Sequence, residues 1–192
     1  MLDGLTAPIR EHVHLGRYRI VADWIKDEGK TVLDIGCGRP CPTMHEGAFL
    51  DTLGYGFGLD LKRYKINHPL TQGSMTALPY ADNSFDAVVA MEVIEHVKDY
   101  PTALKEVKRV LRPGGVFVMT TPENTFIETA FWALWEKTAG EMWHGEHVTN
   151  LTQQQWKTEL SKYFNIEEFR RYRRGLSQFY KLRKDNMAGA KN

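Results

Sequence analysis

Cysteine is scarce in this chain. Cys37 and Cys41 are the only two among 192 residues, and three positions separate them. No disulfide framework can be built from that pair, so a reducing cytoplasm is the expected setting. Long apolar runs are also missing. The longest candidate, Ala130-Phe131-Trp132-Ala133-Leu134-Trp135, falls far short of the roughly 20 residues that span a bilayer. Met1 to Arg10 carries Asp3, Gly4 and Pro8 and no apolar core of signal-peptide length. A charge excess is absent as well. Lys plus Arg number 25 and Asp plus Glu 24, a formal net charge of +1. That balance gives no global pull toward nucleic acid or membrane, and any such claim must rest on local clusters. What is present is ordinary for a globular domain with a sizeable core: 42% hydrophobic and 26% charged residues.

The central stretch is Thr31-Val32-Leu33-Asp34-Ile35-Gly36-Cys37-Gly38-Arg39-Pro40. It reads as a short strand covered on both faces, running straight into a glycine-bent loop. Helical spacing of Val13, Tyr18, Ile20, Val21, Trp24 and Ile25 predicts a helix over 9–28 before it. After the loop, Thr43 and Glu46 have capping-box spacing for a helix running to about Leu53, with Pro40 and Pro42 delaying its start. Strands are expected at 55–60, 66–73 (an edge strand, given Pro69), 85–91 and 116–121. A helix beginning near Pro101 shows Leu104, Val107, Val110 and Leu111 as one stripe. A helix over 149–163 and two closing strands, 164–172 and 177–182, complete the expected order. Alternating strands and helices predict a three-layer α/β sheet in a single domain. Residues 1–28 form a helical cap, 123–150 a lid or substrate-recognition insert, and 185–192 a disordered tail.

A glycine loop after a first strand opens many nucleotide sites. The dinucleotide fingerprint needs a third glycine three positions after the second, and Cys41 stands there, flanked by Pro40 and Pro42. A nicotinamide-dependent oxidoreductase is therefore disfavoured. Asp60, closing the second strand, can accept hydrogen bonds from both ribose hydroxyls. Asp34, at the end of the first strand, can attract a cationic group. The pattern suits a nucleoside bearing a positively charged amino acid better than a pyrophosphate.

Five segments in order are similar to the class I S-adenosylmethionine-dependent methyltransferases of the small single-domain type. They are Val-Leu-Asp-Ile-Gly-Cys-Gly (32–38), Gly-Leu-Asp-Leu (58–61), Ala-Leu-Pro-Tyr-Ala-Asp-Asn-Ser-Phe-Asp (77–86), Val-Ile-Glu-His-Val (93–97) and Leu-Arg-Pro-Gly-Gly (111–115). The resemblance runs from about Thr31 to Glu123. It implies a Rossmann-like seven-stranded, mostly parallel sheet with an antiparallel last strand, S-adenosylmethionine as cofactor and S-adenosylhomocysteine as product. By position, Gly36, Cys37 and Gly38 would line the methionine part, Asp60 the ribose, and Leu61 the adenine; Asp34 is also counted among the cofactor-binding residues. The family usually places an acidic residue where Ser74 stands. Ser74 could bond the base, or Met75 could cover its face. Met91 and Glu92 would lie near the reacting methyl.

Other candidates stand beside bland readings. His96, after Glu95, is a candidate general base, against a role in which Glu95 and His96 only tie their helix to the sheet by hydrogen bonds. His144 and His147, in Trp143-His144-Gly145-Glu146-His147, are a second candidate pair, against plain polar surface. Cys37, Cys41 and His45 offer three metal ligands where a closed zinc site needs four, so no metal is expected. Phe126, Ala130, Phe131, Leu134 and Trp135, at helical spacing with Trp132 and Trp143 nearby, are read as a lid or pocket wall, against a plain core stripe, and suit a small acceptor of apolar or aromatic character. Arg170, Arg171, Arg173, Arg174, Lys181, Arg183 and Lys184 could meet RNA phosphates, against a solvated strand face. The expected function is methyl transfer to a small or medium-sized acceptor, with O-, N- and C-methylation all open. The alternative is a non-catalytic cofactor- or RNA-binding module on the same fold.

Overall fold

A computed structural model describes residues 3–38, 44–123, 148–172 and 177–186. The elements run α1 (Asp3–Ile25), β1 (Val32–Ile35), α2 (Ala48–Leu53), β2 (Phe57–Asp60), β3 (Leu70–Gln72) and β4 (Phe85–Met91). A short 3-10 helix (Ile94–His96) follows, then α3 (Tyr100–Val110), β5 (Leu111–Pro122), α4 (Gln153–Leu160), β6 (Asn165–Tyr172) and β7 (Ser177–Arg183).

The seven strands form one sheet in the order β3-β2-β1-β4-β5-β7-β6. The first five neighbours pair parallel, while β7 runs antiparallel to both β5 and β6. The order reverses between β1 and β4, which opens a crevice at their carboxyl ends. Both faces are covered, as the unbroken apolar runs require. On one face Leu33, Ile35, Val88 and Phe117 pack with Leu104 and Val107 of α3 and Trp156 of α4. On the other, Val32, Val89 and Val118 pack with Val21 and Ile25 of α1 and Phe49 of α2.

Local chemistry explains the element ends. The Asp99 side chain accepts the Thr102 N–H at the start of α3, where Pro101 occupies the first turn. Thr152 and Gln155 form a capping box on α4. The turn before β4 puts Asn83 in the left-handed region at φ 56°.

Three expectations change. α2 does not start from a Thr43/Glu46 capping box: its N-cap is Gly47 at φ 75°, with no side-chain cap. The Gly47 N–H instead donates to the Cys37 carbonyl at 2.8 Å, tying the helix entry to the loop after β1. β5 begins at Leu111, before the Arg-Pro-Gly-Gly turn, because Leu111 pairs with Phe85 and the register then shifts. Asp185, placed at the head of a disordered tail, accepts from the Asn165 side chain at 2.6 Å. Residues 187–192 and the expected bend at Gly175 lie outside the described residues.

Candidate functional site at the carboxyl edge of the sheet

β1 delivers its loop into the crevice through a left-handed Gly36, φ 76°. A Cβ on Gly36 would collide with Val93 Cγ2, so glycine is needed here for space as well as torsion. Val93 follows β4, and this contact joins the loop after β1 to the segment after β4. The Gly36 N–H donates to the Leu59 carbonyl at 2.7 Å, and the Gly38 N–H to Asp60 Oδ2 at 3.1 Å. The Lys62 N–H reaches the other Asp60 oxygen at 3.0 Å. The loops after β1 and β2 are therefore locked to one carboxylate. A Cβ on Gly38 would lie 2.9 Å from Asp60 Oδ2 and 3.1 Å from the Tyr64 hydroxyl oxygen. Without a side chain, the Gly38 main chain can approach that carboxylate closely enough to bond it.

Asp34 is buried, and burial together with the Asp60 charge holds its pKa well above the usual carboxylate range. An arriving cation would favour its ionised form. Cys37 is buried as well, and its thiol is pushed up to about 12 by burial and by Asp34. That makes it a small inert wall residue rather than a nucleophile or ligand. Among the described residues no group of His, Cys, Asp and Glu could hold a metal ion; Cys41 lies outside them.

Beyond Asp60, Leu61 is 71% exposed, an apolar side chain standing open at the edge of the crevice. Ser74 shares a 2.8 Å hydrogen bond with the Thr76 hydroxyl and also accepts the Thr76 N–H at 3.2 Å. Met75 is buried in the core that packs against α3. The structure thus engages Ser74 in its own turn and places Met75 inward.

The far side of the crevice is polar. Met91 is half-buried against the α1 layer. Glu92 adopts φ 55°, a left-handed conformation that side chains rarely take. Its Oε1 accepts the Thr120 hydroxyl at 2.7 Å and stands 3.7 Å from the Arg17 guanidinium. Arg17, buried on α1, also donates to Ser177 Oγ at 3.2 Å. Glu95 is 3% exposed, and neither carboxylate oxygen has a hydrogen-bond partner among the described residues. Burial and the nearby Glu92 charge raise its pKa well above the usual range, against a smaller opposing pull from Arg17. The Glu95 carbonyl accepts from the Val148 and Thr149 N–H groups at 2.9 and 3.0 Å, joining the 3-10 helix to the segment before α4. His96 is half-buried at the end of the same 3-10 helix.

Residues 33–119 match the model of a methyltransferase domain. Over that stretch the chain is similar to the methyltransferase-domain family. The matched residues include Asp34, Asp60 and Glu92. Sterol 24-C-methyltransferase erg6 of Aspergillus fumigatus is 36% identical over 102 residues, 47% of this chain and 27% of that protein. Demethylmenaquinone methyltransferase of Mycolicibacterium paratuberculosis is 33% identical over 109 residues, 54% of this chain and 47% of that protein. The chain spans at most about half the length of these curated relatives. Among solved structures, magnesium protoporphyrin IX methyltransferase of Synechocystis PCC 6803 with bound SAH superposes with a TM-score of 0.67 at 13% identity. It covers 92% of this chain and 85% of that chain, a likeness of fold.

In the fold, Gly36, Cys37, Gly38 and Asp60 come together at one crevice, with Leu61 at its edge. His147, His144 and the aromatic run 126–143 lie outside the described residues. Arg17 and Glu95 were missed as site residues. Arg17 sits in α1 with no motif around it, and only the folded contact with Glu92 reveals it. Glu95 stands inside a quoted motif, but its lack of a side-chain partner has no sequence signal. The basic strand cluster resolves into ion pairs. Lys181 and Arg183 bond Glu28, Arg183 also bonds Glu167, Arg170 bonds Glu168, and Arg171 bonds Glu123. Lys184 donates to the Asn83 side chain and the Leu111 carbonyl. These contacts favour a structural role for the described part of the cluster; Arg173 and Arg174 lie outside it. No helix among the described residues is long and apolar enough to cross a membrane.

Proposed function

We propose that this domain binds S-adenosylmethionine across the carboxyl ends of β1, β2 and β4 and transfers its methyl group to a small or medium-sized acceptor. One observation carries the reading: the Gly36–Gly38 loop is hydrogen-bonded to Asp60 at the point where strand order reverses, with exposed Leu61 beside it. The residues fit such a nucleoside. Gly38 has no Cβ where a sugar would approach, Asp60 keeps lone pairs for ribose hydroxyls, and Leu61 offers an apolar face for a base. Asp34 would stabilise the cationic amino-acid portion, and Met91 would line the region of the methyl. When bound, the cofactor supplies an electrophilic methyl carbon. The chain's own contribution is to align the acceptor in line with it and to exclude water.

Glu92 is fixed by Thr120 and Arg17 and faces this region as an orienting carboxylate. His96, and His147 in the 123–150 segment, are the proposed proton acceptors for an acceptor hydroxyl; amine or carbon acceptors need no dedicated base. Residues 1–28 and 123–150 set acceptor choice, a reading supported by the reach of Arg17 from α1 into the site. The sterol and demethylmenaquinone named for two relatives favour a lipophilic acceptor. The buried free thiol of Cys37 suits a reducing cytoplasm.

Calorimetry with S-adenosylmethionine tests the first half. Micromolar binding that weakens at least tenfold in Asp60→Ala is the expected result, and no binding by the unaltered chain would sink the reading. For His96→Ala, turnover should fall at least a hundredfold with cofactor affinity retained. Unchanged turnover would remove His96 from the chemistry.

A further inference from the structure

We infer that Glu95 is an acceptor-binding residue: its carboxyl is the hydrogen-bonding anchor for a neutral hydroxyl on the molecule to be methylated. This rests on the methyltransferase reading and names the chemistry on the acceptor side of that site. Glu95 is 3% exposed, yet both of its side-chain oxygens lack partners among the described residues. Leaving such a group unsatisfied costs on the order of 1–3 kcal/mol, and buried polar groups are otherwise nearly always paired. Nearby carboxylates show the contrast. Glu92 holds Thr120, and Glu123 holds Arg171 at 2.5 Å.

Glu95 itself lines a narrow cleft of about 10 Å³, room for one hydroxyl-sized group, together with Thr121, Pro122, Thr149, Asn150 and Trp156. This cleft lies beside the donor site. Glu95 follows Val93, whose side chain packs over Gly36 of the donor loop, and Thr121 is one residue beyond Thr120, which bonds Glu92. Of the cleft wall, only the Thr121 side chain lies close enough to favour the ionised form of Glu95 weakly, and it makes no well-formed hydrogen bond to either oxygen. The Thr149 hydroxyl donates instead to the Val97 carbonyl at 3.0 Å. The surroundings also select the partner. Glu92 and Arg17 already set opposite charges close by, and the buried setting favours a neutral carboxyl over a carboxylate. A neutral carboxyl pairs best with a neutral donor–acceptor group such as a hydroxyl.

The test uses the full chain saturated with S-adenosylhomocysteine, with 4-fluorophenol and its methyl ether, 4-fluoroanisole, as small probes read by fluorine NMR line broadening. Expected results are broadening of 4-fluorophenol at least threefold stronger than of 4-fluoroanisole, and loss of that difference in Glu95→Leu. S-adenosylhomocysteine affinity by calorimetry should change less than twofold in that variant. Its Tm should rise by about 2–4 °C, because an unpaired buried acid has been replaced by an apolar side chain of similar size. If Glu95→Leu does not fold, Glu95→Met, whose flexible side chain fills the same space, carries the same comparison. A lower Tm in the variant that folds would overturn the inference, since the carboxyl would then have a structural partner. Equal broadening of both probes, or an unchanged phenol signal in the variant, would overturn it too. Failure of the unaltered chain to bind S-adenosylhomocysteine strikes the methyltransferase reading instead, and so the two failures are told apart.

Discussion

The Gly38 N–H donates to Asp60 Oδ2 at 3.1 Å, so the loop after β1 and the end of β2 are joined by one carboxylate before any ligand arrives. Asp60 thus holds the loop, and in the proposed function it also meets the ribose. Asp60→Ala should weaken S-adenosylmethionine binding by about ten- to a hundredfold, the scale of one or two lost charge-assisted hydrogen bonds. Asp60→Asn, which keeps an acceptor oxygen toward Gly38, should fall between the two. Calorimetry on the three proteins checks the order, and equal affinity in all three would refute it.

Gly36 and Val93 make a second cross-connection, from the donor loop to the segment after β4. Gly36→Ala should lower stability by about 2–4 kcal/mol, combining left-handed strain with the collision on Val93. Val93→Ala in the same chain should recover the steric part and leave the backbone part, roughly 1 kcal/mol. Denaturant melts of the two single variants and the double variant form the cycle that separates them. Strict additivity of the two substitutions would argue against direct contact.

Sequence patterns located the strands well where both faces are apolar and a turn bounds the run. β4, Phe85–Met91, follows the Asp82-Asn83-Ser84 turn and matches its expected span. They did less well where backbone pairing or long-range contacts decide the outcome. The start of β5 at Leu111 depends on its partner Phe85, and the start of α2 depends on a hydrogen bond from Gly47 to Cys37. The donor half of the site was legible because its residues follow strand ends in short motifs. On the proposed acceptor side Glu92 was legible beside Met91, whereas Arg17, which meets it across the fold, and Glu95, which looks in sequence like any other glutamate, were not. The basic cluster misled for the same reason. Its partner Glu28 lies 153 residues from Lys181.

Asp34 links cofactor binding to pH. Its folded pKa is raised, first by burial and then by Asp60. The unfolded chain therefore loses this proton at lower pH than the folded one. Stability is lost as pH rises from the ordinary carboxylate value near 3.9 toward the raised folded value. Asp34→Asn removes that liability, so its Tm should exceed that of the unaltered chain at pH 7 and converge with it near pH 4. Binding should change in the opposite sense, with S-adenosylmethionine held more weakly because the cationic amino-acid group loses its counter-charge. A thermal melt series with calorimetry at pH 7 reads both. A variant that is both less stable and equally tight would count against this role.

Glu28 anchors the end of the α1 layer to the last strand. It accepts from Lys181 Nζ at 2.7 Å and from the two terminal nitrogens of Arg183 at 2.8 and 2.9 Å. The Arg183 and Lys181 hydrogen bonds hold its pKa down at about 2 against the opposing effect of burial. The folded value lies below the unfolded one, so the stabilisation is fully present above the ordinary glutamate value near 4.3 and is lost as pH falls through about 2. Its side chain is 16% exposed, which leaves solvent screening partial and favours a contribution of about 1–2 kcal/mol. Glu28→Gln should therefore lower Tm by about 2–8 °C at pH 7, and the gap should narrow steadily between pH 4.5 and pH 2. Raising salt should narrow it only slightly, because the pair is mostly shielded from solvent ions. A Tm gap that stays the same at pH 7 and pH 2 would show that Glu28 acts through packing rather than charge.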